Sequence, residues 1–113
     1  MAMIQPCSTF MDNLQLLPSV DTVSRIDVVD EAGAAIASIA NQPGKQGSLA
    51  VYYYLKHVFD ILDAQAAEHG LLVFAEHTAD ARQHPGAHPN VDLLLAIAAG
   101  GAPLNIEIIS AGN

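Results

Sequence analysis

Apolar and polar residues alternate along the chain in patterns that predict both helices and strands. Apolar positions spaced three or four apart predict a short helix over 8–17 and a long one over 49–69. Residues 23–30 are rich in β-branched side chains, and 34–40 return after the tight turn DEAG as the second arm of a hairpin. The continuous apolar run LLVFAE at 71–76 is typical of an interior strand.

Residues suited to helix ends predict where these elements begin and stop. Ser48 is a good cap for the long helix, and Gly70 is suited to end it. Asn90 is expected to cap a helix over 91–99, which the following glycine pair terminates. Alternating apolar residues predict a last strand over 103–110.

The predicted elements follow the order α-β-β-α-β-α-β. A hairpin followed by two crossover units predicts a four-stranded mixed sheet with helices packed on it, each crossover being right-handed where its two strands are parallel. The predicted fold class is therefore α/β or α+β, as a single two-layer domain over residues 8–110. Residues 1–7 are expected to form a flexible leader.

Charged residues are scarce and mostly acidic. The chain is 51% hydrophobic and 14% charged, whereas soluble domains have about 25% charged residues. So few ionic groups favour an apolar surface buried in a homo-oligomer, most simply a dimer. Twelve acidic and four basic residues give a net charge of -8. Nucleic acids and anionic membranes are recognised by clustered lysine and arginine, so we exclude both as partners.

Cysteine content and hydropathy indicate the cellular compartment in which the protein is expected. Cys7 is the single cysteine, so neither an intramolecular disulfide nor a thiolate cluster for zinc can form. The start of the chain has no basic segment followed by an apolar one, and no apolar run reaches the ~18 residues of a membrane span. We therefore expect a cytoplasmic location.

The stretch EHTADARQHPGAHPN, which precedes the last predicted helix, gathers the candidate chemistry. It contains His77, His84 and His88, together with Asp80 and Arg82. Imidazole and carboxylate groups are ligands of zinc, so His77, Asp80, His84 and His88 could form a site for a divalent metal. The same residues with Arg82 could instead form a metal-free acid/base or ligand pocket. The third alternative is a structural loop, because the spacing matches no established metal motif.

The Gly-rich loop PGKQGS at 43–48 opens the long predicted helix and contains Lys45. Helix N-termini attract anions because their first N–H groups lack partners. A phosphate-binding P-loop, however, needs its lysine after the second glycine, and here Lys45 precedes Gly47. We interpret the segment as a flexible loop followed by a capped helix, with weak anion binding as the alternative.

The phrases QPGKQGSLAVY, AEHTADARQHPGAHPN and VDLLLAI resemble a family of small bacterial proteins that is catalogued as a domain of unknown function. The resemblance extends from about Leu14 to Ile109. It implies a cytoplasmic bacterial protein and supplies no catalytic residues.

Two hypotheses for function follow. The first is a non-enzymatic, homo-oligomeric domain that is structural or binds a protein partner, favoured by the low charge and by the lack of a catalytic constellation. The second is a domain that binds a metal such as zinc or a small ligand, and conceivably hydrolyses it, through the histidine-rich stretch. The sequence leaves open whether the protein is an enzyme.

Overall fold

The computed structural model describes residues 3–111, which form helices packed on one sheet. The elements, in chain order, are α1 Phe10–Leu16, β1 Val23–Val29, β2 Ala35–Ala40, α2 Gln46–Phe59, β3 Ile61–Leu62, α3 Ala64–Phe74, α4 Glu76–Gln83, α5 Pro89–Ala98 and β4 Leu104–Ser110.

The four strands form an antiparallel sheet in the order β2-β1-β4-β3. Ile26 at the centre of β1 lies opposite Ile39 of β2 and Ile108 of β4. Along the first half of β4, buried and exposed side chains alternate. One face of the sheet therefore packs on the helices while the other faces outward, which gives a single two-layer α+β domain.

Helix α2 crosses the buried face of the sheet and supplies two fully buried tyrosines to the core. The Tyr54 hydroxyl is 2.7 Å from Nε2 of the buried His69 in α3. The Tyr52 hydroxyl donates to the backbone carbonyl of Asn90, so it ties α2 to the beginning of α5. Tyr53, between them, is half-buried and packs edge-on against His57. Each buried tyrosine thus packs its apolar ring in the core while its hydroxyl makes a hydrogen bond.

Several sequence predictions are confirmed. The fold class and the four-strand count hold, as do the hairpin of β1 and β2 and the final strand. The first helix occupies 10–16 and is capped by Thr9, whose side chain accepts from the N–H of Asp12. The helix predicted over 91–99 is present as α5, and Gly100 follows it with a φ of 114°.

The long helix predicted over 49–69 is wrong because the chain turns at Asp60. Asp60 has a φ of 67° and a ψ of -58°, so α2 ends at Phe59. The chain then runs through the two-residue strand β3, and α3 begins at Ala64 after Asp63 caps it. Neither glycine nor proline marks this break, and the apolar stripe continues across it.

The strand predicted over 71–76 is also wrong, because this apolar run completes α3. Gly70 does not end a helix: it lies inside α3, where a Cβ would come within 2.8 Å of Leu94. Small size at this position lets α3 and α5 approach each other closely. The third strand of the sheet is instead Ile61–Leu62, so the sheet is antiparallel throughout rather than mixed.

The expected caps Ser48 and Asn90 lie inside the first turns of their helices, because α2 begins at Gln46 and α5 at Pro89. Residues 3–7, expected to be a flexible leader, contact the domain. The N–H of Ile4 donates to the Tyr54 hydroxyl at 2.8 Å. Residues 1 and 2 of the predicted leader lie outside the described residues.

Candidate functional site

The histidine-rich stretch is largely helical, and a sharp corner at Ala75 aims it. Ala75 has a φ of 52° and a ψ of -118°, so α3 ends at Phe74 and α4 starts in a new direction at Glu76. Thr78 fixes the corner, since its buried hydroxyl donates to the carbonyl of Leu71 at 2.6 Å. The corner carries His77 and Asp80 toward the beginning of α5.

A buried asparagine side chain of α1 holds the same corner through hydrogen bonds. Asn13 is fully buried, and its Nδ2 donates to the carbonyl oxygens of Val73 at 2.8 Å and Cys7 at 3.2 Å. The carboxylate of Glu76 accepts from the N–H of Phe10 at 2.7 Å. Hydrogen bonds from the backbone N–H of Glu76 itself and from that of Phe10 lower the pKa of Glu76. The first turns of α1 and α4 are therefore fixed to each other.

Asp80 joins two of the predicted histidines. His84 follows it by four residues and places Nδ1 3.1 Å from one carboxylate oxygen, while Nε2 of His88 lies 2.6 Å from the other. The hydrogen bond from His88, followed by that from His84, lowers the pKa of Asp80. The carboxylate is therefore ionised near neutral pH, and each oxygen orients one imidazole ring.

His77 joins the cluster through its ring rather than through Asp80. Its ring centroid is 5.2 Å from that of His88 and 4.9 Å from that of Phe10, which stacks on Phe74 at 5.3 Å. Four rings thus form a continuous aromatic series from the core to the His88–Asp80 pair. Such contacts present both flat apolar surface and polar ring nitrogens.

Arg82, the remaining predicted site residue, lies apart from this cluster. It borders a shallower depression of about 310 Å³ that is also lined by Cys7 and Thr78. The structure therefore brings together His77, Asp80, His84 and His88, and it leaves Arg82 on another side of α4.

The described residues contain no preformed metal site. Among residues 3–111, no group of three or more histidine, cysteine or carboxylate side chains is arranged to hold a metal ion. Both oxygens of Asp80 face ring nitrogens of His84 and His88 at hydrogen-bonding distance, rather than a common point. Zinc binding at these residues stays a prediction that titration can test.

A cleft of about 800 Å³ opens beside the cluster. Its apolar surface comes from α1, α3 and the sheet, and includes Phe10, Leu14 and Phe74. His77 and His88 contribute to its lining, and so do Gly44, Lys45 and the first turn of α2 as far as Ser48. The two segments that the sequence analysis singled out separately therefore face the same space.

Two helices begin at this cleft without a capping side chain. Lys45 is the N-cap residue of α2 and His88 that of α5, and neither side chain caps its own helix in the described part of the chain. Ser48 and Asn90, the caps expected from the sequence, line the cleft instead. The N–H groups in the first turn of α2, together with Lys45, favour an anionic group in this space. The start of α5 contributes less, because the proline at its first position has no N–H and an aspartate lies in its first turn.

Sequence reasoning missed the contributions of Phe10, Phe74 and Ser48 to a site. Phe10 and Phe74 have the spacing of ordinary core residues, and nothing local in the sequence shows that two distant helices begin side by side. The signal available was the Gly-rich loop itself. Gly47 is needed where a Cβ would come within 2.9 Å of Phe10.

A family model described as an uncharacterized protein conserved in bacteria (DUF2322) matches residues 10–108. Neither curated proteins nor solved structures gave a match. Within residues 3–111, every helix is too short or too polar to cross a membrane.

Proposed function

The chain belongs to this family of uncharacterized bacterial proteins, and we propose that it binds a small molecule with a flat apolar body and an anionic group, of which a carboxylate is the simplest. One observation carries the proposal: a single cleft combines an aromatic surface, the uncapped start of α2 with Lys45, and an imidazole oriented by a carboxylate. Of the two hypotheses drawn from the sequence, this geometry favours the ligand-binding one.

The size and lining of the cleft suit such a ligand. Its volume of about 800 Å³ falls in the range of about 300–1,000 Å³ typical of small-molecule sites. Such sites combine apolar walls with a few polar groups that set the orientation of the ligand. Here Phe10 and Phe74 provide the wall, and His77, His88 and Ser48 provide the polar groups.

The sign of the ligand charge follows from the local groups. The whole chain carries a net charge of -8 and four basic residues, yet one of those residues, Lys45, lines this cleft. The N–H groups in the first turn of α2 add partial positive charge at the same place. An anion is therefore attracted to this cleft although the chain as a whole is acidic.

His88 is the side chain best placed to contact the ligand. Its Nε2 donates to Asp80, so Nδ1 accepts from an N–H or O–H group when the ring is neutral and donates to an anion when the ring is charged, and its side chain is 28% exposed. Asp80 is a positioning residue, because it fixes the ring through the hydrogen bond and lies outside the cleft lining. Binding needs no covalent step.

The test uses benzoate and phenyl phosphate as probes, with benzyl alcohol as the uncharged control. Amide and imidazole NMR signals are followed during titration of the wild-type protein. Benzoate is expected to shift signals of residues 44–48, His77 and His88, while benzyl alcohol at the same concentration shifts them far less. Stronger shifts with phenyl phosphate would identify phosphate as the preferred anion.

Two lysine variants separate a specific charge effect from a general one. Lys45→Gln removes the charge at the cleft, whereas Lys56→Gln removes the same charge from α2 where Lys56 pairs with Asp60 at 2.9 Å. We expect Lys45→Gln to weaken benzoate binding about three- to tenfold, which corresponds to about 0.7–1.4 kcal/mol, and Lys56→Gln to leave it unchanged. Equal effects of both variants, or shifts located away from the cleft, would refute the proposal. A zinc titration in the same assay tests the metal alternative, through loss of the His84 and His88 signals.

A homo-oligomer, expected from the scarcity of charge, remains a proposal alongside this one. Five large apolar side chains of the described helices and sheet edges are more than 45% exposed, namely Met11, Leu16, Ile36, Ile61 and Leu72. Light scattering at micromolar concentration measures the mass directly, and a strict monomer would refute it.

A further inference from the structure

We infer that the occupant of the cleft is the C-terminal end of a partner polypeptide, bound as an extra strand along the edge of β2 with its carboxylate at the start of α2. This inference rests on the proposed function and names the ligand class. It also connects the cleft with the first sequence hypothesis, that of a protein-binding domain.

Strand β2 is an open edge of the sheet, because the order β2-β1-β4-β3 leaves one of its sides unpaired among the described residues. Its sequence, AIASIA, contains neither a charged residue nor a proline. Natural proteins usually protect an edge strand with such residues or by making it short. The opposite edge has that protection, since β3 is two residues long.

The register shows which backbone groups point outward. The N–H of Asn41 donates to the carbonyl of Ser24, one step beyond the pair Arg25–Ala40. Backbone groups in an antiparallel ladder face alternately toward and away from the neighbouring strand. Ile39 therefore turns its N–H and C=O toward β1, and Ser38 turns its own toward the open edge.

The open edge at Ser38 borders the cleft. Ser38 and Ile39 both line the cleft, opposite Phe10 and the loop that opens α2. The Ser38 hydroxyl is occupied, since it donates to Asp27 at 2.7 Å on the outer face of the sheet. What Ser38 offers to an occupant is therefore its backbone N–H and C=O, the groups by which an added peptide strand is recognised.

The remaining features of the cleft match the end of a peptide. The uncapped start of α2 and Lys45 are placed for a terminal carboxylate. The wall of Phe10 and Phe74 is placed for a large apolar last side chain. Ser38 and residues 45–48 lie in the lining of the same cleft, so one peptide can offer strand hydrogen bonds to the first and a carboxylate to the second.

The test compares peptides that differ at one feature each. N-acetyl-Ala-Ala-Ala-Phe with a free carboxylate is expected to bind at least about tenfold more tightly than benzoate. Its C-terminal carboxamide, and the same peptide with N-methylated alanines, are each expected to lose about tenfold, because one lacks the anion and the other the strand hydrogen bonds. The Ser38 amide signal should shift with the first peptide.

A pair of substitutions at Ser38 isolates the edge hydrogen bond. Proline is tolerated on an edge strand where its missing N–H would face outward, so Ser38→Pro removes the donor that the peptide needs while the sheet is retained. Ser38→Ala removes the hydroxyl but keeps the N–H, and serves as the control. We expect Ser38→Pro to weaken peptide binding about tenfold more than it weakens benzoate binding, and Ser38→Ala, which keeps the backbone N–H, to retain the wild-type ratio of the two affinities.

The outcomes distinguish this inference from the proposed function. Benzoate binding at the cleft, combined with a peptide that binds no better or is insensitive to Ser38→Pro, overturns the strand inference alone. Failure of both benzoate and the peptide to bind overturns the ligand-binding proposal as well. Peptide binding that is tighter than benzoate binding, and that Ser38→Pro and amidation each weaken about tenfold, supports both.

Discussion

Replacing one alanine by glycine at the corner between α3 and α4 should stabilise the protein. Ala75 has a φ of 52° and a ψ of -118°, a conformation that costs a residue with a side chain about 1–3 kcal/mol. Glycine adopts it without that strain, but loses about 0.5–1 kcal/mol more through backbone entropy. The balance predicts that Ala75→Gly raises the free energy of unfolding by about 1 kcal/mol.

The matched control lies four residues further along. Ala79 is exposed within α4, where the same substitution should lower the free energy of unfolding by about 1 kcal/mol. Urea unfolding of both variants measures the difference, which we expect to be about 2 kcal/mol with opposite signs relative to the wild type. If both substitutions destabilise the protein to the same degree, the corner carries no strain and this reasoning fails.

Three further predictions concern buried groups. Asn13→Ala should lower the free energy of unfolding by about 2–4 kcal/mol, because it leaves buried backbone groups unpaired; the exposed Asn105→Ala should change it by less than about 0.5 kcal/mol in the same urea titration. Gly70→Ala should cost about 1 kcal/mol, measured by thermal unfolding. Its Cβ would come within 2.8 Å of a leucine of α5, and overpacking of about 1–3 kcal/mol exceeds the helix propensity gained. Burial lowers the pKa of His69 below its ordinary value of 6.5, so the folded protein favours the neutral ring. This contribution to stability is complete above pH 6.5 and is lost as the pH falls below it. Between pH 8 and pH 5 the free energy of unfolding should therefore change less with pH for His69→Gln than for the wild type.

Local sequence patterns predicted the parts of the fold that local chemistry determines. The hairpin of β1 and β2 follows from strand alternation on both sides of a short turn, and the last strand from its alternating isoleucines. The helices α2 and α3 could not be separated in this way. Their apolar residues keep one helical spacing through Asp60, and the residue that breaks the helix is an aspartate in a glycine-like conformation. Strand pairing of Ile61 and Leu62 with β4 favours that break, and no nearby residue in the sequence indicates it.

The misassigned strand over 71–76 has a related cause. A short apolar run fits a buried strand and a buried helix equally well, and length usually decides between them. The run LLVFAE is six residues long, which is a usual length for a buried strand. In the structure Val73 and Phe74 are buried within α3, which packs mainly on α5.

The candidate site was found in part because its residues are close in sequence. His84 and His88 are four apart, but the proline-glycine pair between them prevents a helix in which both could share a face. Helix α4 ends at Gln83 just before that pair, and it is Asp80 and His84, also four apart, that this spacing brings together. His88 then returns to the same carboxylate as the chain turns to start α5.

The contact between the histidine cluster and α1 depends on the corner between α3 and α4, which the sequence pattern did not reveal. Had residues 71–76 been a strand, His77 would have left the edge of the sheet, far from Phe10. Because Ala75 redirects the chain, His77 instead packs against Phe10 of α1, and Phe10 in turn closes on Gly47 at the start of α2. The strain at Ala75 and the cleft are therefore linked. Ala75→Gly should leave benzoate binding unchanged, since glycine keeps the corner, whereas Asn13→Ala, which releases the corner from α1, should weaken it together with stability.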